Sequence, residues 1–350
     1  MKILFDIGHP AHVHLFKHVI RQLKSLNHQV YVIAKDQLAI TALLDNYKIE
    51  YTVIAKKETN LIAKVFSYFN VILQTFVFVR KYKIDIGLGV SMSLPLVGKL
   101  TSMKTISLDD DDQKQTPIFA FFANMADVVL TPDTLAFEKR NKRHITHPSY
   151  HELAYLHPDR FTPDENVLRK LQIKEDERFF ILRFNSFTAH HDLNKQGLTY
   201  KQKLQLVEIL KKRGKVFIST EDIDVNFEKY RLPLEAEEIH SAMYYAMMFV
   251  GDSQTMTSEA AVLGTPALKC NSFAGKLSIP NELEEKYGLC YAYQADDFDK
   301  MIGQIKVLLD RDNLKEEWSN KRDRMLNERM DLSSFLLQSI NIKGGLIFPQ

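Results

Sequence analysis

The sequence predicts an α/β protein of two domains, each built on a doubly wound parallel β-sheet. Three observations lead to this fold class. Short β-rich runs alternate with amphipathic helical patterns along most of the chain. A polar stretch from Pro132 to about Asp176 interrupts the alternation near the middle. The 350 residues exceed an ordinary single domain, and 45% of them are hydrophobic, which is enough for two cores.

The first half of the chain carries six predicted strands. Residues 2–7 form the first, and a Gly/His/Pro loop then leads into a helix with one apolar face. The other predicted strands are 30–33, 51–54, 85–90, 105–108 and 127–130. Because parallel strands need crossover connections, their alternation with helices predicts a parallel sheet that is covered on both faces.

Residues 61–79 form the longest apolar stretch and are predicted to be an amphipathic helix. The polar side chains of Lys64, Ser67, Asn70 and Gln74 fall within roughly a third of the helix circumference. This distribution argues against a membrane span. Core packing and a peripheral contact with a membrane surface both remain open for its apolar residues.

The second half repeats the strand and helix alternation. Its predicted strands are 179–182, 216–218, 248–250 and 267–269, and residues 204–212 are one of the helices between them. After Asp296 the pattern is helical to about Ile340. The predicted domains are therefore 1–160 and 161–350, with the C-terminal helices packing back across the hinge.

Composition limits the compartment and the partners. The formal charge of +2 comes from interspersed charges of both signs, which predicts no nucleic-acid partner. Cys270 and Cys290 lie far apart without metal-ligand spacing, which is typical of a reducing compartment. The first apolar run ends at Asp6, too early for a signal-peptide core. We expect a cytoplasmic protein.

The loop after the predicted strand 248–250 is the strongest ligand-site candidate, because ligands of open parallel sheets bind outside the carboxyl ends of the strands. Small hydroxyl and amide residues open a helix there, and a helix N-terminus can hold a diphosphate. Glu259, one turn further, is placed to accept hydrogen bonds from ribose. The alternative is an ordinary N-cap with a surface carboxylate. The predicted ligand-binding residues of this loop are Asp252, Ser253, Gln254, Thr255 and Glu259.

This run resembles the signature of GT-B enzymes, which include nucleotide-sugar glycosyltransferases and non-hydrolysing UDP-N-acetylglucosamine 2-epimerases. The residues that match the epimerase pattern are Asp252, Ser253, Glu259, Ala260, Leu263, Gly264 and Pro266. Gln254 and Thr255 replace two glycines, which leaves less room near the phosphates. The resemblance implies two Rossmann-like domains facing across a cleft, with a nucleotide sugar held mainly by the second domain.

Over nearly its whole length the chain also resembles the domain-of-unknown-function 354 family, which is described as glycosyltransferase-like. This resemblance rests on three segments: residues 6–14, residues 150–156 followed by 161–164, and the helix that carries Glu259. It implies the same fold and no settled reaction.

The loop after the first predicted strand holds three histidines in six residues. Imidazole titrates near neutral pH, so His9, His12 and His14 are candidates to take a proton from an acceptor hydroxyl. The GT-B resemblance implies that this loop contacts the acceptor or the sugar. We expect His12 to be the base and His9 to be the second catalytic candidate. Gly8 and His14 are expected to contact substrate, while structural or capping roles remain open for the histidines other than the base.

A third loop follows the first strand of the second domain. Arg183 is placed to neutralise phosphate charge as the leaving group departs, with an interdomain salt bridge as the alternative. The predicted substrate contacts in this loop are Asn185, Ser186, His190 and His191.

Four adjacent aspartates follow the fifth predicted strand. They cannot all face one ion, and the GT-B resemblance implies chemistry without a bound metal, so we predict neither a metal nor a cofactor. Asp109 and Asp110 are expected to hold sugar hydroxyls.

These features together favour a metal-independent glycosyltransferase of polysaccharide or glycoconjugate synthesis. Its donor would be a nucleoside-diphosphate sugar, with a UDP-sugar favoured, and its acceptor a sugar or a lipid-linked sugar. Epimerisation at C2 of a UDP-N-acetylhexosamine and an inactive nucleotide-sugar-binding protein are the alternatives. A homodimer and a peripheral membrane contact through residues 61–79 are left open.

Overall fold

The computed structural model describes residues 1–56, 61–184, 197–220 and 224–340, and the side chains in these ranges except those of 55–67. The chain divides into two compact units. Unit 1 contains Met1–Arg160 and the chain from Arg329 on, and unit 2 is Phe161–Glu328. Both are α/β units with parallel sheets, so the predicted fold class is confirmed.

In the described residues, unit 1 has a sheet of seven strands in the order β3-β2-β1-β4-β5-β6-β7, and its neighbouring strands pair in parallel. The strands are β1 Lys2–Ile7, β2 Gln29–Asp36, β3 Thr52–Lys56, β4 Ile86–Gly89, β5 Lys104–Leu108, β6 Val128–Pro132 and β7 His144–His147. The sequence did not predict β7. It is an edge strand that pairs only with β6, so its His-Ile-Thr-His sequence carries little hydrophobic signal.

Helices cover the sheet of unit 1, and all helices are numbered in order along the whole chain. They are α1 Pro10–Ser25, α2 Leu38–Asn46, α3 Leu61–Tyr82, α4 Ser93–Lys99, α5 Pro117–Ala123, α6 Leu153–Leu156 and α14 Leu332–Ser339. The late helix α14 packs against α1 and α6. The Ser333 hydroxyl donates to the carbonyl of Ala154 at 2.8 Å, and Arg160 pairs with Asp331 at 2.6 Å, so this C-terminal helix is part of the first unit.

The core of unit 1 explains why its first two elements form. Leu4 and Phe5 of β1 are fully buried, and the apolar face of α1 brings Phe16 against Phe5 with ring centroids 5.2 Å apart. Burial of one such side chain contributes about 1.5–3 kcal/mol. The packing fixes the position of the loop between β1 and α1, where the histidines lie.

In the described residues, unit 2 has five parallel strands in the order β12-β11-β10-β8-β9. The strands are β8 Phe179–Arg183, β9 Lys215–Ser219, β10 Met248–Gly251, β11 Ala267–Cys270 and β12 Cys290–Tyr293. The edge strand β12 was not predicted. The helices are α7 Asn166–Lys170, α8 Tyr200–Leu210, α9 Ile239–Tyr245, α10 Gln254–Val262, α11 Ser278–Glu285, α12 Phe298–Leu309 and α13 Leu314–Glu328.

Each sheet reverses its strand order at one point, between β1 and β4 in unit 1 and between β8 and β10 in unit 2. Ligands of doubly wound sheets bind outside the carboxyl ends of the strands at such points. The loops after these four strands are therefore the first places to look for a site.

None of the helices in the described ranges has both the length and the hydropathy needed to cross a membrane. The predicted amphipathic helix is present as α3.

Candidate functional site

The carboxyl end of β1 in unit 1 carries Asp6, which two hydroxyls of the loop after β4 hold in place. Ser91 Oγ donates to Asp6 Oδ2 at 2.5 Å, and Ser93 Oγ donates to the same oxygen at 3.1 Å. Burial raises the pKa of Asp6, and the two hydroxyl bonds oppose that effect. Sequence reasoning did not select these three residues, although they lie at the reversal point of the sheet.

The histidines of the next loop bind backbone N–H groups at the start of α1. His9 is the N-cap, and its Nδ1 accepts from the N–H of Ala11 at 3.2 Å. His12 Nδ1 accepts from the N–H of Gly8 at 3.3 Å. In a neutral imidazole whose Nδ1 accepts, the proton is on Nε2. Both rings therefore present an N–H donor at Nε2.

The predicted base, His12, is neutral but poorly suited to take a proton in this arrangement. Burial first, and then the charges of His9 and His151, lower its pKa to about 3, and Asp110 opposes them. An efficient general base has a pKa near the working pH and a free lone pair. His12 is better suited to donate a hydrogen bond from Nε2.

His151 forms a hydrogen bond with Asp110, and sequence reasoning did not select it as a site residue. Its Nδ1 lies 3.0 Å from Asp110 Oδ2, with 11% of the His151 side chain and 34% of the Asp110 side chain exposed. Burial alone would lower the pKa of His151, but the carboxylates of Asp110, Glu152 and Asp109, with Asp110 the largest contributor, together raise it. His151 Nε2 is buried and has no hydrogen-bond partner in the described part of the chain. A histidine oriented by a carboxylate, with an unpaired Nε2, has the arrangement of a general base.

Asp109, in contrast, is directed into the protein. It is 1% exposed and forms a buried ion pair with Arg140, whose Nη2 also donates to the carbonyl of Asp111 at 2.9 Å. Burial raises the pKa of Asp109 to about 6, although Arg140 opposes the shift. The structure therefore gives Asp109 an internal partner in place of the sugar hydroxyl that the sequence suggested.

His14 is also a core residue. It is 5% exposed, its Nδ1 lies 3.2 Å from Tyr47 Oη, and its ring stacks on Tyr155 with centroids 5.3 Å apart. His14 lies one turn beyond the loop, on the buried face of α1, which accounts for the difference from the predicted substrate contact.

In unit 2, Arg183 is the last residue of β8, and its Nη1 donates to Ser219 Oγ at 3.4 Å. Its carbonyl accepts from the N–H of Asp252 at 3.2 Å. A Cβ at Gly251 would lie 2.2 Å from this carbonyl oxygen, so a glycine is required where β10 passes β8. The structure thereby brings Arg183 and the loop after β10 to one edge of the sheet.

Ser253 is the N-cap of α10. Its Oγ accepts from the N–H of Met256 at 3.4 Å, and its carbonyl accepts from Thr257 Oγ1 at 2.6 Å. The cap leaves the first backbone N–H groups of α10, at Gln254 and Thr255, at the positive end of the helix dipole. This end can hold an anion.

Lys269 lies beside the amino end of α10 and is 1% exposed. Its Nζ donates to Gln254 Oε1, and no carboxylate of the described residues forms an ion pair with it. Burial lowers the pKa of Lys269 to about 8, and Cys290 and Glu284 oppose that shift. A buried cation without a carboxylate partner is costly unless an anion offsets it. Lys269 was read only as part of a strand in the sequence.

Glu259 lies on the buried side of α10. One of its carboxylate oxygens is 3.1 Å from His240 Nε2, and the two side chains are 6% and 3% exposed. Glu259 is therefore buried, and the alternative that it is a surface carboxylate is wrong. The predicted ribose contact would require Glu259 to turn away from His240 or to accept the ribose hydroxyls through its other oxygen.

The remaining predicted contacts, Asn185, Ser186, His190 and His191, lie outside the described residues. Within the described ranges, no cluster of three or more His, Cys, Asp or Glu side chains is arranged to hold a metal ion.

Two doubly wound parallel sheets with polar residues at their reversal points define the GT-B fold, and solved structures agree. The S. aureus MnaA structure with UDP has a TM-score of 0.68 at 13% identity, covering 97% of this chain and 95% of that one. The Neisseria meningitidis UDP-GlcNAc 2-epimerase bound to UDP-GlcNAc gives 0.67 at 14%, covering 96% and 98%. The glycosyltransferase VinC in complex with dTDP gives 0.62 at 10%, covering 96% and 98%.

The chain belongs to the family described as protein of unknown function (DUF354), whose model matches residues 1–332. No curated protein is significantly similar to it in sequence.

Proposed function

We propose that this protein is a metal-independent glycosyltransferase whose donor is a nucleoside-diphosphate sugar, with a UDP-sugar favoured. The observation that carries the proposal is Lys269, a buried cation that donates a hydrogen bond to an amide oxygen at the positive end of α10 and forms no ion pair with a carboxylate in the described residues. Such an arrangement stabilises a bound anion. The UDP, UDP-GlcNAc and dTDP named with the similar structures are all nucleoside diphosphates or their sugars, which supports this ligand class.

Unit 2 binds the diphosphate in this proposal. The phosphate oxygens accept hydrogen bonds from the first N–H groups of α10, and the charge of Lys269 lies behind them. Arg183, at the carboxyl end of β8, neutralises the charge that develops on the leaving diphosphate. Positive charge held in place before the reaction stabilises the leaving group without reorganisation.

Unit 1 supplies the base, which we assign to His151 in place of His12. The acceptor oxygen forms a bond to the anomeric carbon, and the bond from that carbon to the diphosphate oxygen breaks with its electron pair going to the diphosphate. The hydroxyl proton goes to His151 Nε2, and Asp110 stabilises the resulting imidazolium through Nδ1. His12 donates from Nε2 to a sugar oxygen.

Epimerisation is the second candidate, because Asp110 and His151 form an acid/base pair that could also move a proton at a sugar carbon. One of the compared structures, that of the Neisseria meningitidis protein, is named a UDP-GlcNAc 2-epimerase and is bound to UDP-GlcNAc. The two reactions differ in their requirements, since epimerisation needs no acceptor and glycosyl transfer does.

The test is an incubation of the full chain with UDP-sugars, with and without a mixture of sugar and lipid-linked acceptors. Glycosyl transfer predicts UDP release that depends on acceptor and persists in EDTA. His151→Gln should lower the rate by about 10²–10⁴-fold. His28→Gln is the matched control, because His28 immediately precedes β2 and so lies at the amino end of the parallel strands, whereas the proposed site lies at their carboxyl ends; it should leave the rate unchanged. Conversion of UDP-GlcNAc without acceptor would favour epimerisation, and no product in either condition would contradict both.

We also propose that α3 contacts a lipid surface that carries the acceptor. Phe69, Leu73 and Val77 lie four residues apart on α3, and they are 66%, 60% and 54% exposed. They form one apolar stripe along the helix. Sedimentation with anionic vesicles should retain the wild type and lose Leu73→Asp. Self-association in gel filtration that Leu73→Asp abolishes, without vesicle binding, would contradict the lipid contact and favour a homodimer.

A further inference from the structure

A second pocket lies in unit 2 at the carboxyl end of α10, with a volume of about 250 Å³. Its walls include Tyr244 and Tyr245 at the end of α9, Gly264 after α10, and the α13 side chains Lys315 and Arg322. A nine-residue helix is roughly 13 Å long at about 1.5 Å per residue. The pocket is thus separated by the length of α10 from the diphosphate site proposed above.

Two cations of α13 line this pocket, together with Ser319. Lys315, Ser319 and Arg322 are spaced by four and three residues, so they share one face of the helix. Neither cation forms an ion pair with a carboxylate in the described part of the chain, and none of the lining residues is acidic. Lys321 of the same helix, in contrast, contacts Glu317 at 2.8 Å.

Backbone oxygens use only part of the hydrogen-bonding capacity of the two cations. Lys315 Nζ donates to the carbonyl of Tyr244 at 3.0 Å, and Arg322 Nε donates to the carbonyl of Val262 at 3.2 Å. An ammonium has three donors and a guanidinium five, so further donors remain on both groups. The two bonds cap the carboxyl ends of α9 and α10 and partly offset the negative helix ends, which would otherwise disfavour an anion here.

The backbone around Gly264 fixes the position of Arg322. Gly264 has φ +77°, and a Cβ at this position would lie 2.8 Å from Arg322 Cδ. The Arg322 side chain therefore lies directly over the glycine, with its guanidinium 5.9 Å from the Tyr244 ring centroid. Burial lowers the pKa of Lys315 to about 8 and also lowers the pKa of Arg322. Both groups bear a charge in a partly desolvated place, where an anion would offset the cost.

We infer that this pocket binds a small phosphate monoester, with Lys315 and Arg322 holding the phosphoryl group and the two tyrosine rings flanking the organic part. Arginine and lysine are the side chains that bind phosphoryl oxygens, the first through a planar fork and the second as a point charge. The pocket volume of about 250 Å³ is several times the roughly 30 Å³ of one water, which leaves room for an organic part beside a phosphoryl group. The Tyr244 and Tyr245 rings lie 5.2 Å apart at 90° and form an aromatic corner.

The test is calorimetric titration of the full chain with glucose 6-phosphate, glycerol 3-phosphate and inorganic phosphate at millimolar concentrations. Lys315→Gln and Arg322→Gln should each weaken monoester binding by about tenfold or more, the effect of losing one charged hydrogen bond. Lys306→Gln, on the exposed side of α12, is the matched control and should bind as the wild type does. Lys269→Met serves as a second control, because it alters the diphosphate site proposed at the amino end of α10, and Lys269 does not line the pocket.

The inference requires that Lys269→Met keep monoester binding while both pocket variants lose it. Binding that survives in Lys315→Gln and Arg322→Gln, or that disappears in Lys269→Met, would overturn it. Equal affinity for inorganic phosphate would overturn the assignment to an ester, and a wild type that binds none of the three ligands would overturn the site. Lys315→Gln leaves the Arg322 packing on Gly264 intact, so loss of binding in that variant does not come from a change in that packing.

Discussion

Replacing Lys269 by Met should stabilise unit 2 in the absence of any nucleotide. Lys269 is 1% exposed and burial lowers its pKa to about 8, compared with about 10.5 for an ordinary lysine. Each pH unit between the two pKa values is worth about 1.4 kcal/mol, so keeping the charge costs the folded state about 3.5 kcal/mol. Losing the bond to Gln254 subtracts about 1–2 kcal/mol. The expected net gain at neutral pH is about 1.5–2.5 kcal/mol.

The gain should depend on pH in a defined direction. Because the folded lysine has the lower pKa, the unfolded state binds more protons between about pH 8 and 10.5, and the stability contribution of Lys269 rises across that window. Below about pH 8 the full cost is present. The difference between Lys269→Met and the wild type should therefore be largest near neutral pH and smaller at about pH 10.

Urea unfolding followed by tryptophan fluorescence measures this in unit 2 alone. The chain has one tryptophan, Trp318, which is fully buried in unit 2 and donates from Nε1 to the carbonyl of Leu289 at 2.8 Å. The exposed Lys306→Met serves as control and should change stability by no more than about 0.5 kcal/mol. A destabilised Lys269→Met at neutral pH, or a difference that does not narrow at high pH, would refute the reasoning.

Three further predictions concern the site and its supports. Asp110→Asn removes the carboxylate that raises the pKa of His151, so the acid limb of the pH–rate profile should move to lower pH. An acid limb that does not move would exclude His151 as the base. Gly264→Ala should lower the free energy of unfolding, measured by urea denaturation, by more than about 1 kcal/mol, because the φ of Gly264 is +77° and the new Cβ would collide with Arg322. An unchanged free energy of unfolding would contradict the close packing. Ser253→Ala should cost about 1 kcal/mol through loss of the N-cap and weaken nucleotide binding, whereas Ser253→Asp should retain the cap.

The fold was largely predictable, because buried parallel strands appear in a sequence as short apolar runs between helices. The two strands that sequence analysis missed, β7 and β12, lie at sheet edges, and in the described residues each pairs on one side only. Their sequences, His-Ile-Thr-His and Cys-Tyr-Ala-Tyr, mix polar and apolar residues and so give no clear run. Edge strands are where hydrophobic patterning carries the least information.

The loops that carry the candidate site were also predictable, but the partners of their side chains were not. His151 follows β7, and an unrecognised strand leaves its loop unplaced. In the sequence, Lys269 is an ordinary strand residue, and only the fold shows that it is buried beside Gln254. The contact of Glu259 with His240 spans 19 residues and depends on how two helices pack. Spacing in a sequence locates a loop at a sheet edge but does not say which side chain faces a ligand.

The most direct test of the central claim is calorimetric titration of the full chain with UDP, GDP, CDP, dTDP and ADP. The proposal predicts that the wild type binds a nucleoside diphosphate, with UDP favoured, and that Lys269→Met binds it at least about tenfold more weakly while Lys306→Met is unaffected. If none of the five nucleotides binds, or if Lys269→Met binds with unchanged affinity, the amino end of α10 is not a diphosphate site.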